Sequence, residues 1–590
     1  MHDQFQTDEI QGKTYDWKLI RRLSHYLTPH LLLLALALTF LLFGSCLELV
    51  GPYLVKIAID TCIKAADYGG LNRICIIFFL VLLVRSALSF LEIYYTALIG
   101  QRVILDVRME LFTHVQSRSL SFFDHYPVGR IMTRIGNDVE TVNEMLSDGI
   151  LTVIGNTLTL LGIVLIMLWM NVRLALVTFS ILPFIVWASL KFRTGVRSAF
   201  REIREKIARI NSFMQENITG MKEVQLFGRE VQNFRHFDRI NRDHQDAYLR
   251  AVFCYALFFP FIELLASVST ALIVWYGGLK ALQGTLTIGL LVAFIEYMGR
   301  FFRPVRELSE KYNLLQSTMA SAERIFGLLD SGQKVAISVN PKPFPGLQAE
   351  IVFDRVWFAY DGENYVLKDV SFRLARGKTL AIVGTTGAGK TSIVNLLGRY
   401  YEFQRGRILI DGVDIREYDL KELRSAIAVV QQDAFLFSTS VLDNITLANP
   451  AINLKTVRQV AEYINASTFI EQLPEGYHQV MSERGNTLSS GQKQLLAFAR
   501  ALAAGPDILI LDEATANVDS ETEGLIQDAL RKLVHNRTSI IIAHRLSTIA
   551  DAHQILVLHK GRVAEEGTHN ALLQQGGIYK KLYEMLMWKH

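Results

Sequence analysis

The stretch "LAIVGTTGAGKTSIVNLLGRY", Leu380 to Tyr400, decides the fold of the second half of the chain. An apolar run that predicts a strand comes first, followed by a glycine-rich turn and then by a pattern that predicts a helix. The turn, "GTTGAGKTS", matches GxxxxGK[ST] in the context that this phosphate-binding motif requires. The alternative is a chance glycine-rich turn, which the flanking strand and helix patterns disfavour.

The residue types of this turn suit a nucleoside triphosphate with its magnesium ion. Glycines let backbone N–H groups curl around the β-phosphate, and Lys390 reaches the β- and γ-phosphates. The Thr391 hydroxyl is a predicted Mg²⁺ ligand. The predicted nucleotide contacts are Gly384, Thr385, Thr386, Gly387, Ala388, Gly389, Lys390, Thr391 and Ser392.

A second apolar run, "ILILDEA", Ile508 to Ala514, predicts a strand that ends in two acids. Asp512 is placed to hold the magnesium shell, directly or through water. Glu513 is placed to polarise a water for in-line attack on the γ-phosphate. Two acids after a strand are a weak signal alone and a strong one after a phosphate-binding turn.

Three further residues are candidates for the same site. His544, in "IIIAHRLS", follows the next predicted strand, where a γ-phosphate contact is favoured over a structural role. Gln432, in "VVQQDAF", also stands at a strand end and can touch both metal and water. Tyr360, in "WFAYDGE", is predicted with equal weight to stack on adenine or to belong to the core.

The first half of the chain has the composition of a membrane domain. Half of the 590 residues are hydrophobic, and the mean hydropathy is +0.24. Runs of roughly 20 apolar residues are long enough to cross a bilayer, and six of them exclude the alternative of buried core helices. The predicted spans are Leu31–Ile59, Arg73–Leu98, Met145–Met170, Val172–Leu190, Ala251–Trp275 and Ile288–Phe302.

Charge sets the orientation of these spans. The loops after the second and fourth spans are long, helix-patterned and rich in Arg and Lys, which places them in the cytoplasm. "WKLIRRLSHY", Trp17 to Tyr26, predicts an amphipathic helix along the inner surface. Met1 to Arg22 is too long and too acidic for a signal peptide. The net charge of +4 is small for this length, so no nucleic-acid partner is expected.

Some polar residues lie in or near the spans. Glu48, Arg85, Glu92, Glu263 and Glu296 predict either a pathway that tolerates cations or, preferably, structural pairs such as Arg85 with Glu48 or Glu92. The cysteines show no metal-ligand spacing and are predicted to be buried free thiols. They are Cys46, Cys62, Cys75 and Cys254.

The domain organisation follows from these patterns. The chain is predicted to form a membrane α-helical domain at 1–325, a linker at 326–348 that contains "NPKPFPG", and an α/β nucleotide-binding domain at 349–590. Apolar strand patterns alternate with helical ones in the last domain, which predicts a mostly parallel sheet on the cytoplasmic side.

Taken together, the motifs resemble those of the ATP-binding cassette (ABC) exporters. Tyr360, "GTTGAGKTS", Gln432, "LSSGQ", "ILILDEA", "ANVD" and His544 stand in that family's order. "SFFDHYPVGRIMTRIGNDVETV" and "ITGMKEVQLFGRE" resemble its two intracellular loops, and "YGGLKALQGTLTIGLLVAF" resembles the segment that joins its last two spans. The resemblance implies a half-transporter with six membrane helices and the ABC exporter fold, which binds ATP and Mg²⁺ and alternates between inward- and outward-open states.

The same resemblance implies site residues that act on a second chain. In this family an "LSGGQ"-type signature caps the γ-phosphate bound by the partner, which here implicates Ser489, Ser490, Gly491 and Gln492, with Asp519 in the loop "ANVD". A helix beginning near Gln492 would offer its N-terminus to the anion. Ser490 stands where glycine is usual, and it carries strain only if the position needs a positive φ.

The pairing of an altered signature with an intact Glu513 favours a heterodimer over a homodimer, by resemblance to heterodimeric bacterial exporters. Phe122, Phe123 and Gln215 to Lys222 resemble the elements that couple the loops to the nucleotide-binding domains. The expected function is ATP-driven export of hydrophobic or amphipathic small molecules across a bacterial inner (plasma) membrane. The alternatives are a lipid or lipid-linked flippase and, less favoured because Glu513 is present, an ATP-gated channel or regulator.

Overall fold

The computed structural model describes residues 17–332, 338, 340–512, 520–542 and 549–587. This part of the chain forms two compact units. The membrane unit comprises residues 1–116 and 128–331, and the ATP-binding unit comprises 117–127 and 332–590. A short piece of the first predicted cytoplasmic loop therefore belongs, by its contacts, to the ATP-binding unit.

The membrane unit is entirely helical within the described residues. Several of its helices run far beyond the length of one bilayer crossing, and short π-helical turns interrupt the pattern. Its helices are α1 Trp17–Leu27, α2 Leu31–Ile57, α3 Tyr68–Gln116, α5 Val128–Thr133, α6 Val139–Glu144, α7 Ile150–Met170, α8 Val172–Phe179, α9 Leu182–Thr219, α10 Met221–Leu226, α11 Glu230–Leu272, α12 Gly278–Leu282 and α13 Ile288–Leu329.

Length and hydropathy mark five helical stretches in the described residues as able to cross a membrane. They begin at α1, α3, α5, α8 and α11, and their mean hydropathies lie between 1.8 and 2.6. The sixth predicted span is the first part of α13, where Glu296, Arg300 and Arg303 interrupt the apolar run. That span stays a prediction.

The long helices confirm that the cytoplasmic loops extend the spans. At about 1.5 Å per residue, the 49 residues of α3 measure roughly 74 Å, more than twice the thickness of a hydrocarbon core. The helices α9 and α11 have 38 and 43 residues and carry the second loop. Side chains such as Leu32, which is 76% exposed, cover the outer surface of α2 because they face lipid rather than a protein core.

Two of the five charged residues predicted in or near the spans form an ion pair in the structure. Arg85 Nη2 lies 2.8 Å from Glu48 Oε2, so the structural pairing with Glu48 is confirmed. The backbone oxygen of Glu48 also accepts a hydrogen bond from Arg300. Glu263 is exposed, and Glu92 and Glu296 are half-buried.

The cysteines differ in part from the prediction. All four are free thiols, as expected, but only Cys62 is buried. Cys46 and Cys75 are exposed and Cys254 is half-buried. The difference arises because a cysteine on a helix can lie on the outer face of the helix bundle as well as in its core, which composition does not distinguish.

The ATP-binding unit is an α/β fold with two sheets in the described residues. A mostly parallel sheet has the strand order β10-β9-β3-β8-β7-β6, and an antiparallel sheet has the order β2-β1-β4-β5. The strands are β1 Glu350–Phe358, β2 Leu367–Ala375, β3 Thr379–Gly384, β4 Arg405–Ile410, β5 Val413–Asp414, β6 Ile427–Val430, β7 Ile508–Asp512, β8 Thr538–Ile542, β9 Gln554–His559 and β10 Arg562–Gly567.

Helices cover this unit and connect its strands. They are α4 Leu120–His125, α14 Lys390–Leu397, α15 Leu420–Ser425, α16 Val441–Thr446, α17 Leu454–Tyr463, α18 Ser467–Glu471, α19 Ser490–Ala503, α20 Ser520–Val534, α21 His569–Gln575 and α22 Ile578–Met587. The helix α13 ends at Leu329, so the first four residues of the predicted linker are helical.

The central strand β3 is buried on both faces, which is typical of parallel sheets. Ala381 and Val383 belong to one hydrophobic cluster, and Leu380 and Ile382 belong to the other. Because side chains alternate along a strand, β3 separates two cores. The carboxyl end of β3, held from both sides, is the rigid base on which the phosphate-binding turn stands.

Candidate functional site

The phosphate-binding turn connects β3 directly to α14. Gly389 is the N-cap residue of α14 and has a φ of 102°, a conformation that favours glycine. A Cβ atom at Gly389 would lie 2.6 Å from Leu367 Cδ2, so the packing also excludes a side chain there. The free N–H groups at the N-terminus of α14 therefore open onto the turn, as a phosphate site needs.

Lys390 is held inside this turn. Its side chain is buried, and its ammonium donates hydrogen bonds to the backbone oxygens of Gly384 at 2.9 Å and Thr385 at 3.2 Å. A buried ammonium needs such partners, since burial of an isolated charge is costly. These two contacts keep the positive charge at the centre of the turn, where the triphosphate is predicted to bind.

A cleft of about 360 Å³ brings together the predicted metal ligands. Thr391 at the start of α14, Gln432 after β6 and Asp512 at the end of β7 all line it. The carboxyl ends of neighbouring parallel strands meet at one edge of the sheet, which explains why residues so distant in sequence converge. The other lining residues are Leu120, Val394, Asn395, Tyr400, Val429, Gln431 and Asp433.

Tyr360 lies beside α14 rather than in the core. Its ring is 41% exposed, and its hydroxyl oxygen is 3.0 Å from Ser392 Oγ. Asn395 Nδ2 donates to the same hydroxyl at 3.3 Å. The edge of the ring contacts Tyr401, with centroids 4.9 Å apart. An exposed aromatic ring fixed against the phosphate-binding helix is suited to stacking on a base.

The signature segment opens a helix near Gln492, as predicted. The helix α19 begins at Ser490, two residues before Gln492, and Ser489 is its N-cap. Ser489 Oγ accepts from Gln492 N at 3.2 Å, and Gln492 Oε1 accepts from Ser489 N at 3.0 Å, which together form a capping box. Because Ser489 is the cap, the helix starts two residues before Gln492.

Ser490 causes no backbone strain. It occupies the first helical position of α19, and it is not among the residues of positive φ. The strain that the sequence would allow at Ser490, which requires a positive φ, is therefore absent at this residue. Gly491, the next residue, is buried, so close packing constrains that position instead.

Three predicted site residues, Glu513, Asp519 and His544, lie outside the described residues. The strands that lead to two of them are present and parallel, with Asp512 paired to Ile542. The last described residues of the two strands, Asp512 and Ile542, therefore lie side by side, and Asp512 lines the cleft. The roles of Glu513 and His544 continue to rest on their motifs.

The structure adds site residues that sequence patterns did not indicate. Leu120, from the first predicted cytoplasmic loop, lines the cleft together with Asn395 and Asp433. In the same segment, Phe122 is fully buried and stacks on Tyr126, with ring centroids 4.5 Å apart. The wide separation in sequence between Leu120 and the phosphate-binding turn left no local signal for this contact.

The second loop carries the other predicted coupling element. Gln215, Glu216, Thr219 and Gly220 line an open cleft of about 610 Å³ in the membrane unit, at the end of α9. Apolar side chains around it are exposed, among them Ile218, Leu226 and Phe227.

Comparison with known proteins agrees with this architecture. The ABC transporter transmembrane region matches residues 34–305, and the ABC transporter domain matches residues 367–516. The chain is similar to a bacterial Atm1-family ABC exporter solved with ATP bound, with a TM-score of 0.77 and 28% identity. That match covers 97% of this chain and 99% of the exporter.

Curated relatives are similar over almost the full length. An uncharacterized ABC transporter ATP-binding protein of Bacillus subtilis, YknV, is 38% identical over 98% of this chain and 96% of its own. An ATP-dependent lipid A-core flippase of Syntrophus aciditrophicus is 34% identical over 96% of this chain and 94% of its own. A putative multidrug export ATP-binding/permease protein of Bacillus subtilis, YgaD, is 34% identical over 90% and 93%.

The membrane helices, the phosphate-binding cleft and the full-length similarity lead to one conclusion. The chain belongs to the ABC transporter family, as an exporter half-transporter: a multi-pass membrane protein with a cytoplasmic ATPase domain that couples ATP hydrolysis to transport.

Proposed function

We propose that this chain is one half of a heterodimeric exporter that moves hydrophobic or amphipathic small molecules outward across a bacterial inner membrane by alternating access. The observation that carries the ATP-driven part of the proposal is the convergence of Thr391, Gln432 and Asp512 in one cleft beside the buried Lys390. The domain limits of 1–325, 326–348 and 349–590 belong to the same proposal.

The cleft fits a magnesium ion with a nucleotide. The three converging side chains supply a hydroxyl, an amide oxygen and a carboxylate, and Mg²⁺ prefers a few such oxygen ligands together with waters and phosphates. Thr391, Gln432 and Asp512 would hold the ion. When bound, it would neutralise negative charge on the β- and γ-phosphates.

Side chains and backbone groups of this chain then bind the nucleotide and activate the attacking water. Lys390 and the N–H groups of the turn bind the phosphates, and Tyr360 stacks on adenine. Glu513 orients and deprotonates the attacking water, and His544 contacts the γ-phosphate. The other residues of the turn, from Gly384 to Ser392, complete the ATP contacts.

A second chain is needed to complete this site. Ser489, Ser490, Gly491 and Gln492 would cap the nucleotide that the partner binds, with Asp519 nearby in the same interface. The N-terminus of α19 suits that role because the helix dipole gives it a partial positive charge. The exposed apolar side chains at the tip of the second loop support a partner there as well.

The heterodimer is proposed because Ser490 and Glu513 act on different nucleotide sites. Ser490 acts on the partner's nucleotide, whereas Glu513 acts on this chain's own. If the partner lacked the glutamate but had an intact signature, the altered signature and the missing glutamate would both belong to the partner's nucleotide site. That site would hydrolyse ATP slowly, and this chain's own site would be intact. The second chain, the small-molecule substrate and the surrounding lipids are then the partners of this protein.

Stoichiometry tests the heterodimer. The chain is purified alone in mild detergent, its mass is measured by light scattering, and its ATPase activity is recorded. A chain that is monomeric or weakly active alone, and gains activity with a second half-transporter, supports the proposal. A stable and fully active assembly of identical chains contradicts it.

Lipid or lipid-linked flipping is the second candidate, because similar proteins bear both multidrug-export and lipid A-core flippase names. Liposomes that contain the active assembly separate the two candidates. Efflux of hydrophobic dyes with unchanged lipid distribution favours small-molecule export. ATP-dependent movement of a fluorescent lipid between leaflets, without dye efflux, favours the flippase.

A further inference from the structure

The helix α4 packs in the ATP-binding unit although its flanking chain belongs to the membrane unit. Phe122 of this helix is fully buried, and its ring contacts those of Phe123 and Tyr126 in the same segment. Leu120, at the first position of α4, lines the cleft with Thr391 and Asp512. One end of α4 is therefore at the phosphate side of the site.

The other end of α4 contacts the side of the site that holds Tyr360. The Tyr401 hydroxyl donates a hydrogen bond to the Asp124 carboxylate. Burial and this hydrogen bond raise the pKa of Tyr401. The hydroxyl therefore stays protonated throughout the physiological range and remains a donor.

Tyr401 also contacts Tyr360. Their ring centroids are 4.9 Å apart and the rings are nearly perpendicular, at 87°. Both rings pack on Phe358, with centroid distances of 4.6 Å to Tyr360 and 5.9 Å to Tyr401. Edge-to-face contacts of this kind depend on ring orientation, so a base that fixes the Tyr360 ring also fixes the ring of Tyr401.

We propose that the hydrogen bond between Tyr401 and Asp124 is a positioning contact, through which adenine bound at Tyr360 sets the position of α4. The inference rests on the proposed role of Tyr360 as the adenine contact. Tyr401 does not touch the nucleotide in this arrangement. It acts through the ring of Tyr360 on one side and through Asp124 on the other.

The chain connectivity gives this contact a consequence for transport. Three residues separate α3 from α4, and two residues separate α4 from α5. Such short connections transmit a displacement of α4 to helices of the membrane unit. A ligand shifts a conformational equilibrium only if it interacts differently with the two conformations. Here the contact between the rings of Tyr360 and Tyr401 would make the preferred position of α4 differ between the adenine-bound and the empty site.

Hydrogen exchange provides a test that needs no transport substrate. The full-length transporter, with its partner chain if one is required, is placed in lipid nanodiscs with and without a non-hydrolysable ATP analogue. Exchange is followed in peptides that cover Leu120–His125. The analogue should slow exchange in the wild type, and Tyr401→Phe should reduce this protection by roughly tenfold or more, as expected for the loss of one hydrogen bond to a carboxylate.

Matched variants separate positioning from general damage. Asp124→Ala should behave like Tyr401→Phe, and the double variant should be no worse than either single one. Asp124→Asn keeps an acceptor oxygen and should restore most of the protection. Tyr463→Phe is the control, because its hydroxyl lies 3.4 Å from the backbone oxygen of Lys532, elsewhere in the same unit.

The outcomes are distinct. Full nucleotide-dependent protection in Tyr401→Phe, or additive losses in the double variant, would overturn the inference. Affinity for the analogue, measured in parallel, should change less than about twofold in Tyr401→Phe and fall in Tyr360→Ala. If Tyr360→Ala keeps its affinity while Tyr401→Phe loses the response, adenine stacking is wrong but the link between Tyr401 and α4 stands.

Discussion

Ser490 shows how little a single substitution reveals until its backbone conformation is known. The side chain replaces the glycine that is usual at this position, yet the residue is an ordinary first helical residue of α19. Its neighbour Ser489 carries the local stabilisation, through the capping box with Gln492.

These two serines give the first prediction. Ser490→Gly should change the free energy of unfolding of the ATP-binding unit by less than about 1 kcal/mol, since the difference in helix propensity between serine and glycine is of that size or smaller. Ser489→Ala should cost about 1 kcal/mol or more, because it removes a cap. Thermal unfolding of both variants measures the difference. A larger loss for Ser490→Gly would show that the position needs its side chain.

Substitutions of Lys390 and Glu513 should affect different steps, ATP binding and ATP hydrolysis respectively. Lys390→Ala removes a charge that binds phosphate and should weaken ATP binding itself. Glu513→Gln should keep ATP binding and slow hydrolysis at this chain's site by about 10²- to 10⁴-fold, as expected for the loss of a general base. Binding of a fluorescent ATP analogue and single-turnover hydrolysis separate the two. Near-normal turnover at an isolated Glu513→Gln site would refute the assignment.

At the scale of elements, the predicted amphipathic helix is present as α1, and specific contacts attach it. Arg22 forms a two-point hydrogen bond with Asp330, at 2.6 and 2.9 Å, just after the end of α13. The Arg22 guanidinium also lies 4.1 Å from the ring centroid of Phe326. A second contact runs from the Tyr26 hydroxyl to Glu110 on α3.

Arg22→Ala should therefore loosen α1. The variant loses both the ion pair and the contact with the Phe326 ring, so hydrogen exchange over Trp17–Leu27 should accelerate roughly threefold to tenfold. Arg21→Ala is the matched control, since Arg21 is an exposed basic residue on the same helix. Equal exchange in the two variants would mean that apolar packing alone attaches α1.

The pH dependence of this attachment has a definite sign. The hydrogen bond from Arg22 lowers the pKa of Asp330 below its usual value. The contribution to stability is thus fully present above the pKa of an unfolded aspartate, and it is lost as the pH falls through the lowered value. Exchange over α1 should be insensitive to Asp330 between pH 5 and 8, and a transition centred there would contradict this.

Asp138 forms a largely buried ion pair in the membrane unit. It accepts hydrogen bonds from Arg324 and from Ser321 on α13, and only 7% of its side chain is exposed. Asp138→Ala should cost roughly 3 kcal/mol, because it leaves a partly buried guanidinium without its carboxylate. Arg209→Ala, which breaks an exposed pair with Glu205, should cost under about 0.5 kcal/mol. Thermal unfolding compares the two variants.

At the scale of the whole molecule, we expect transport to depend on the packing of the first loop in the ATP-binding unit. Phe123 is half-buried beside Phe122, at a centroid distance of 5.3 Å. Phe123→Asp should therefore displace α4 by placing a charge against an apolar contact. ATPase activity should persist while ATP-driven transport in liposomes falls at least about tenfold. Parallel loss of both activities would indicate misfolding rather than uncoupling.

Sequence patterns alone determined the features that local interactions control. The phosphate-binding turn depends on glycines and one lysine between a strand and a helix, and the apolar spans depend on continuous stretches of hydrophobic residues. The parallel strands β3, β7, β8 and β9 were recognisable for the same reason, since strands buried on both faces are uniformly apolar.

Tertiary structure decided what depends on partners distant in the chain. The antiparallel sheet of β1, β2, β4 and β5 was not predicted, although β2 alternates buried and exposed residues as a half-buried strand does, because the pairing of β1 with the distant strand β4 has no local signal. The pairing of Arg85 with Glu48, the position of Leu120 in the cleft and the contact of Tyr401 with Asp124 join residues separated by 37 or more positions. Such contacts depend on how whole elements pack against one another, and no local propensity encodes that packing.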